Sequence, residues 1–378
     1  MSPGVILPPQ GQNRVMSGRP TRWSRRHDET SVPDVIPGSR KRRGTCFPRR
    51  HVKAMKTLLI VLLAMGAGVT ASYAAAHPQT SEAQQLKAAR QGLDLLMNGE
   101  PDAAVKVFQQ IQSDDPDSAL GYLMEADATW WEIYLTTGNL VDPDVFEVGP
   151  NSTSPYDSRF NNLIGQAISK ARANRRANRN IARNYLYEGM AYGLIARFTS
   201  MRDSNLAAAR AAKQMRSLLI TAMQRDRNLR DAYAGLGLYD YFVDTLPTVV
   251  KLLRWIIGLP GGSRERGLQE IEYAAKYGEL TRGEALFYLA KDYSRTSEHQ
   301  YARSLGLFQQ LRSEYPRNGL WTLLAGSLEI RMGRAKEGEA LYRKVLEQTR
   351  GKQTVAGNAL HKASRKALQR RHPSERFE

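Results

Sequence analysis

The sequence predicts an all-α protein: a solenoid of about six helical hairpins behind a basic leader and a signal peptide. Three observations carry that prediction. From Ser81 onward apolar residues recur three and four positions apart in a background rich in Ala, Leu, Arg and Gln, and alternating β-type runs are absent. The helical stretches come in pairs joined by short links. Small residues, aromatics and prolines return at the same steps in the first and last pairs. With 378 residues, 42% of them apolar and 24% charged, the chain is long enough to bury a sizeable core.

The elements follow in chain order. Residues 1–54 hold twelve Lys or Arg against three acids, with Pro, Ser and Gly and no apolar period, so they bury too little surface to order themselves. Met55-Lys56 then opens an uncharged run from Thr57 to Ala76, apolar at Leu58 to Met65 and ending in Ala74-Ala75-Ala76. A cation, a short apolar core and a small-residue exit make residues 55–76 a secretory signal peptide. Translation then starts at Met55, and the product is periplasmic or secreted. The alternative is a membrane anchor over 57–76, with the basic leader on the cytoplasmic side. The single cysteine, Cys46, precedes the apolar run, so no cysteine stands at the exit to carry a lipid.

Helices are predicted near 82–98 and 101–113, 118–137 and 158–174, 180–200 and 204–226, 230–244 and 263–277, 281–296 and 299–314, and 318–332 and 335–349. A terminal helix near 355–370 lies in a basic tail, 350–378. The stretch from Gly138 to Tyr156, with Pro, Asn, Ser and Asp, reads as a loop, and Asn151-Ser152-Thr153 within it spells a glycosylation sequon. Leu246-Pro247 ends one helix, and Val249 to Ile257 begins another that Gly258-Leu259-Pro260-Gly261-Gly262 stops.

The spacing repeats. Gly92 is followed after twelve residues by Ala104, after four more by Phe108 and after eight more by Pro116. Pro316 is preceded at the same steps by Phe308, Ser304 and Asp292, while Gly326, Gly338 and Tyr342 repeat the twelve and the four. First helices carry Tyr122-x-x-Glu125-Ala126, Tyr185-x-x-Glu188-Gly189-x-x-Tyr192, Tyr233-x-x-Leu236-Gly237 and Tyr288-x-x-Lys291-Asp292. A small residue lets the two helices of a hairpin approach, an aromatic fills the space toward the next hairpin, and proline ends the second helix. These residues resemble the tetratricopeptide repeat over 82–349, most clearly at both ends. The tyrosines are 63, 48 and 55 residues apart, so the middle pairs carry longer helices and inserts. The resemblance implies a right-handed α-solenoid that binds a protein or peptide partner on its concave face.

Candidate ligand-facing residues are Trp130 and Trp131 on a long first helix, Tyr239 and Tyr241 on a later one, and Trp255 in the apolar insert. Consecutive tryptophans point to different helix faces, so one of the pair can line a groove while most of these rings pack between repeats. The insert at 248–257 either fills the groove or lies on a membrane, which motivates a second reading, a membrane-associated carrier of lipid or another apolar ligand. Gly258 to Ser263, followed by Arg264 and Arg266, either offers backbone N–H groups to an anion or is a turn capped by Ser263. Asp240 and Asp244, one turn apart, either share a proton or a cation or are solvated carboxylates.

The remaining inventory is sparse. The histidines stand apart at 27, 51, 77, 299, 361 and 372, and no nucleophile elbow, zinc-binding pair or phosphate loop is spelled. No catalytic, metal or cofactor site is expected. Of the net charge of +18, residues 1–76 carry +10 and residues 350–378 carry +6, so the body is nearly neutral. That distribution argues against nucleic acid as the partner, because phosphate attraction would come from the termini alone. The expected function is an exported scaffold for a protein or peptide partner, without catalysis.

Overall fold

The computed structural model describes residues 81–137, 139–141, 153–245 and 258–373. The chain divides into Met1–Ser72 and Tyr73–Glu378, and every described residue belongs to the second unit. The leader, the signal peptide or anchor, Cys46, Asn151 and Ser152 of the sequon, and the apolar stretch 248–257 with Trp255 lie outside the described residues.

Thirteen helices are described, and no strand occurs among the described residues. They are α1 (Glu82–Met97), α2 (Pro101–Asp114), α3 (Ala119–Thr137), α4 (Asp157–Arg176), α5 (Ile181–Ser200), α6 (Asn205–Arg225), α7 (Ala232–Thr245), α8 (Arg264–Tyr277), α9 (Arg282–Ser294), α10 (Tyr301–Glu314), α11 (Gly319–Arg331), α12 (Ala335–Thr349) and α13 (Val355–Arg371). Each boundary falls within two residues of its expected place, because local chemistry sets it. Ser81 and Gln84 form a capping box on α1, and Ser263, Asn318 and Thr354 cap α8, α11 and α13 with their side-chain oxygens. Gly99, at φ +81°, turns the chain so that Pro101 can open α2. Pro116 and Pro316 stand exposed in the turns that follow α2 and α10.

Helices pair as α1–α2, α3–α4, α5–α6, α7–α8, α9–α10 and α11–α12, each second helix packs on the next first helix, and α13 covers α12. Small residues set the approach. A Cβ on Gly92 would lie 2.3 Å from the Phe108 ring, one on Gly189 2.7 Å from Leu219, one on Gly237 2.6 Å from the Gly267 carbonyl, and one on Gly326 3.0 Å from both the Gly338 carbonyl and the Tyr342 ring. Ala104, Phe108, Phe308 and Tyr342 are buried as the repeat pattern demands. Tyr122, Tyr185, Tyr192 and Tyr233 are half-buried. Cations of α4 cover two of them: Lys170 lies 4.8 Å from the Tyr122 ring, and Arg175 4.0 Å from the Tyr185 ring.

The inner face is not an open groove over its whole length. α1 also packs on α9, and α13 reaches α3. The Trp131 ring lies 5.0 Å from Phe287 and 6.0 Å from Trp321, and the Trp321 indole N–H donates to the Met97 carbonyl at 3.0 Å. Asn318 Nδ2 donates to the same carbonyl at 2.9 Å, and Ser327 Oγ to the Val141 carbonyl at 2.6 Å. The reason is written around the helices. Every residue from Ala285 to Ser294 on α9 and from Gly319 to Leu328 on α11 is buried, so these first helices need cover on all sides. Trp130, Trp131, Tyr239 and Tyr241 are therefore core residues, each no more than 5% exposed, and the expectation that they line a groove is corrected.

Candidate functional site

What stays open on the inner side is a cleft of about 610 Å³ where α1 and α5 face the turns leading into α7 and α9. Asp231, just before α7, builds its rim. Its carboxylate Oδ1 accepts backbone N–H bonds from Glu279, Leu280 and Thr281 at 2.8, 2.8 and 3.0 Å, and the Thr281 hydroxyl at 2.9 Å. Burial pushes this carboxyl up from its ordinary pKa, while the four donors pull it back. One side chain thus holds the α8–α9 turn against the start of α7.

Charges that meet across the cleft line its walls. Glu279 is shared by Arg90 of α1 at 3.0 Å and Arg183 of α5 at 3.5 Å, and Arg183 also reaches Glu82 at 2.7 Å. Deeper in, Arg197 of α5 pairs with Glu284, lies 3.5 Å from Asp127, donates to Tyr288 Oη at 3.3 Å and covers the Trp130 ring at 4.7 Å. Burial raises the Asp127 carboxyl, against the pull of Arg197. On the far wall Arg282 holds Glu314 with two bonds of 2.7 and 2.8 Å, and Tyr315 Oη donates to Asp94 at 3.2 Å. That wall divides the cleft from a more open one of about 760 Å³, which shares Asp94, Arg282 and Tyr315.

The mouth has a different character. Tyr277 and Arg230 line it, with the guanidinium 5.6 Å from the ring. Tyr277 is 41% exposed and Tyr273 39%, and the three rings of Tyr233, Tyr273 and Tyr277 follow one another at 4.8 Å. Exposed Tyr and Arg side by side are what protein contact surfaces favour. The sequence offered one readable signal here, Tyr273 and Tyr277 one helical turn apart on α8; nothing local marked Arg197 or Asp231, whose partners lie far along the chain.

Other candidates resolve into structure. Asp240 is buried and paired with Arg266, and Asp244 Oδ2 accepts the Arg264 N–H at 2.8 Å, so the two carboxylates neither share a proton or cation nor stand free in solvent. The same bond, with Ser263 accepting from Arg266 N at 3.3 Å, occupies the α8 N-terminus, and Arg264 is bound to Glu298. Gly258 to Ser263 is accordingly the capped turn rather than an open anion site. Among the described residues no group of three His, Cys, Asp or Glu is placed to hold a metal ion, and no helix is long and apolar enough to cross a membrane. The lipid-carrier reading rests on 248–257, outside the described residues.

The sequence of the first hairpin is matched by a known family: residues 89–118 fit the tetratricopeptide repeat. No curated protein matches the chain. A solved thermophilic tetratricopeptide repeat protein of Thermus thermophilus aligns with 67% of this chain and 98% of its own, at 14% identity and a TM-score of 0.34. Residues 89–118 are thus similar to a tetratricopeptide repeat, with Gly92 packed against the Phe108 ring within that hairpin.

Proposed function

We propose that the chain is an exported, non-catalytic scaffold, a solenoid of tetratricopeptide-type hairpins that takes a short polar segment of a protein or peptide partner at the cleft between α1, α5 and the turns before α7 and α9. One observation carries the reading: a cleft of about 610 Å³ whose inner charges are paired with each other but whose mouth presents Tyr277 and Arg230 to solvent. Its size falls in the range of roughly 300–1,000 Å³ used for small ligands and peptide side chains, so it admits a few residues of a partner rather than a domain. Because the walls are held by Asp231 and by ion pairs, the receptor has little ordering left to do on binding. Export is inferred from residues 55–76.

The test is crosslinking with mass spectrometry on the native protein, which reports the mature N-terminus and the partner together. Crosslinks near Tyr277 that disappear in Arg230→Glu/Tyr277→Ala, with helical content unchanged, support the reading. A catalytic turnover abolished by Asp240→Asn or Asp244→Asn, or a product retained inside the cell with residues 55–76 intact, overturns it.

A further inference from the structure

The terminal helix carries charge that no carboxylate among the described residues answers. α13 contains five Lys or Arg and no acid. Its apolar side, Gly357, Leu360, Ser364, Ala367 and Leu368, is buried, and the helix packs on α12, α11 and α3. At 100° per residue, Lys362, Arg365, Lys366 and Arg370 fall in an arc of roughly 140° on the opposite side, and all four are exposed. The fifth cation, Arg371, turns to Glu339 at 2.6 Å, beside His372 at 2.9 Å, which pins the end of the helix. Among the described residues no carboxylate pairs with the other four. Some exposed arginines elsewhere, such as Arg90, Arg264, Arg266 and Arg317, have their acids.

We propose that this face of α13 docks on the surface of an anionic phospholipid bilayer. Its shape and composition favour that partner. The cations run along one straight helix for about 12 Å, so they address a plane of phosphates rather than one ion. Neither of the two clefts described above is lined by an α13 residue. The face has no aromatic ring on which the bases of a single strand could stack. It also lacks the apolar centre of a protein interface: its one exposed apolar side chain is Val355, at the start of the helix and in line with Lys362. Cations held at an anionic surface attract it within a Debye length, about 10 Å at 0.1 M salt, so contact is reversible and salt-sensitive.

The test uses the full chain and vesicles of phosphatidylcholine, alone or mixed equally with phosphatidylglycerol. The protein sediments with the mixed vesicles and not with phosphatidylcholine alone. Replacing the four cations (Lys362→Gln, Arg365→Gln, Lys366→Gln, Arg370→Gln) weakens binding at least about tenfold at 0.1 M salt. Because the basic leader can also touch the vesicles, amine acetylation locates the contact: on mixed vesicles Lys362 and Lys366 lose reactivity while Lys336 of α12 keeps it. All four positions are exposed, and an unchanged circular dichroism spectrum shows that the variant folds. Undiminished binding by the variant, or unchanged reactivity of Lys362 and Lys366 on vesicles, overturns the proposal. So does a single-stranded oligonucleotide that protects these lysines and displaces the vesicles. Arg230→Glu leaves vesicle binding unaltered, so failure at the cleft and failure at α13 are read separately.

Discussion

At the scale of single residues, two kinds of side chain decide how the hairpins sit. Gly92 is the first kind, since a methyl group there would overlap the Phe108 ring at 2.3 Å and neither helix can withdraw without opening its hairpin. Gly92→Ala is expected to destabilise the protein by about 1–3 kcal/mol, read as a lower urea midpoint with an unchanged slope. Asp292 is the second kind. It stands where the repeat pattern has a small residue, is fully buried and, among the described residues, has Arg295, at 3.1 Å, as its ion-pair partner and no hydrogen-bond partner for its other oxygen. Burial pushes its carboxyl up to about 7. The folded state therefore holds this proton to higher pH than the unfolded chain does, and the stability it confers is complete below about pH 4 and lost as pH rises through about 7. Between pH 5 and 8 the wild-type thermal midpoint should fall by more than that of Asp292→Asn; equal slopes would remove Asp292 from the explanation.

At the scale of elements, the amphipathic helices behave differently from those that are apolar all round. α2, α12 and α13 bury one stripe each, so their placement on the outside of the pairs follows from period alone. α9 and α11 have no solvent side over ten consecutive residues, and beyond α8, α10 and α12 they are covered from α1 and α3, through Met97 and Trp131. Trp321→Ala removes the ring that meets Trp131 together with the bond to the Met97 carbonyl, and is expected to cost about 3–5 kcal/mol in denaturant unfolding. The turn between α8 and α9 has a different weak point. Asp231→Ala leaves three backbone N–H groups without their acceptor, a loss of about 1–3 kcal/mol, and amide exchange at Glu279, Leu280 and Thr281 should speed up before the rest of the protein does.

At the scale of the described helical unit, the seam between α1 to α3 and α9 to α11 joins parts of the chain about two hundred residues apart. Its rim is polar, with Arg317 on Glu100 at 2.7 Å and Tyr315 on Asp94, and its centre is the Trp131–Phe287–Trp321 cluster. Exposed ion pairs of this sort contribute about 0–1 kcal/mol each, so Arg317→Ala should scarcely move the unfolding midpoint. The aromatic centre is what holds the seam, and hydrogen exchange in α1 and α2 should accelerate in Trp321→Ala but not in Arg317→Ala. Equal protection in the two variants would mean that the first hairpin stands without the seam.

Sequence alone determined the helices, their ends and their partners in each hairpin, because caps, turn glycines, prolines and the small-residue contacts act over one or two helical turns and can be read residue by residue. It also marked the first hairpin as a repeat and the tail as basic. The tertiary structure decided the rest: that Trp130, Trp131, Tyr239 and Tyr241 go inward, that the inner face narrows to a cleft, and that Arg197 and Asp231 shape it. Those outcomes depend on which distant helix covers an all-apolar one, and on pairings between charges far apart in the chain, and no local period encodes either.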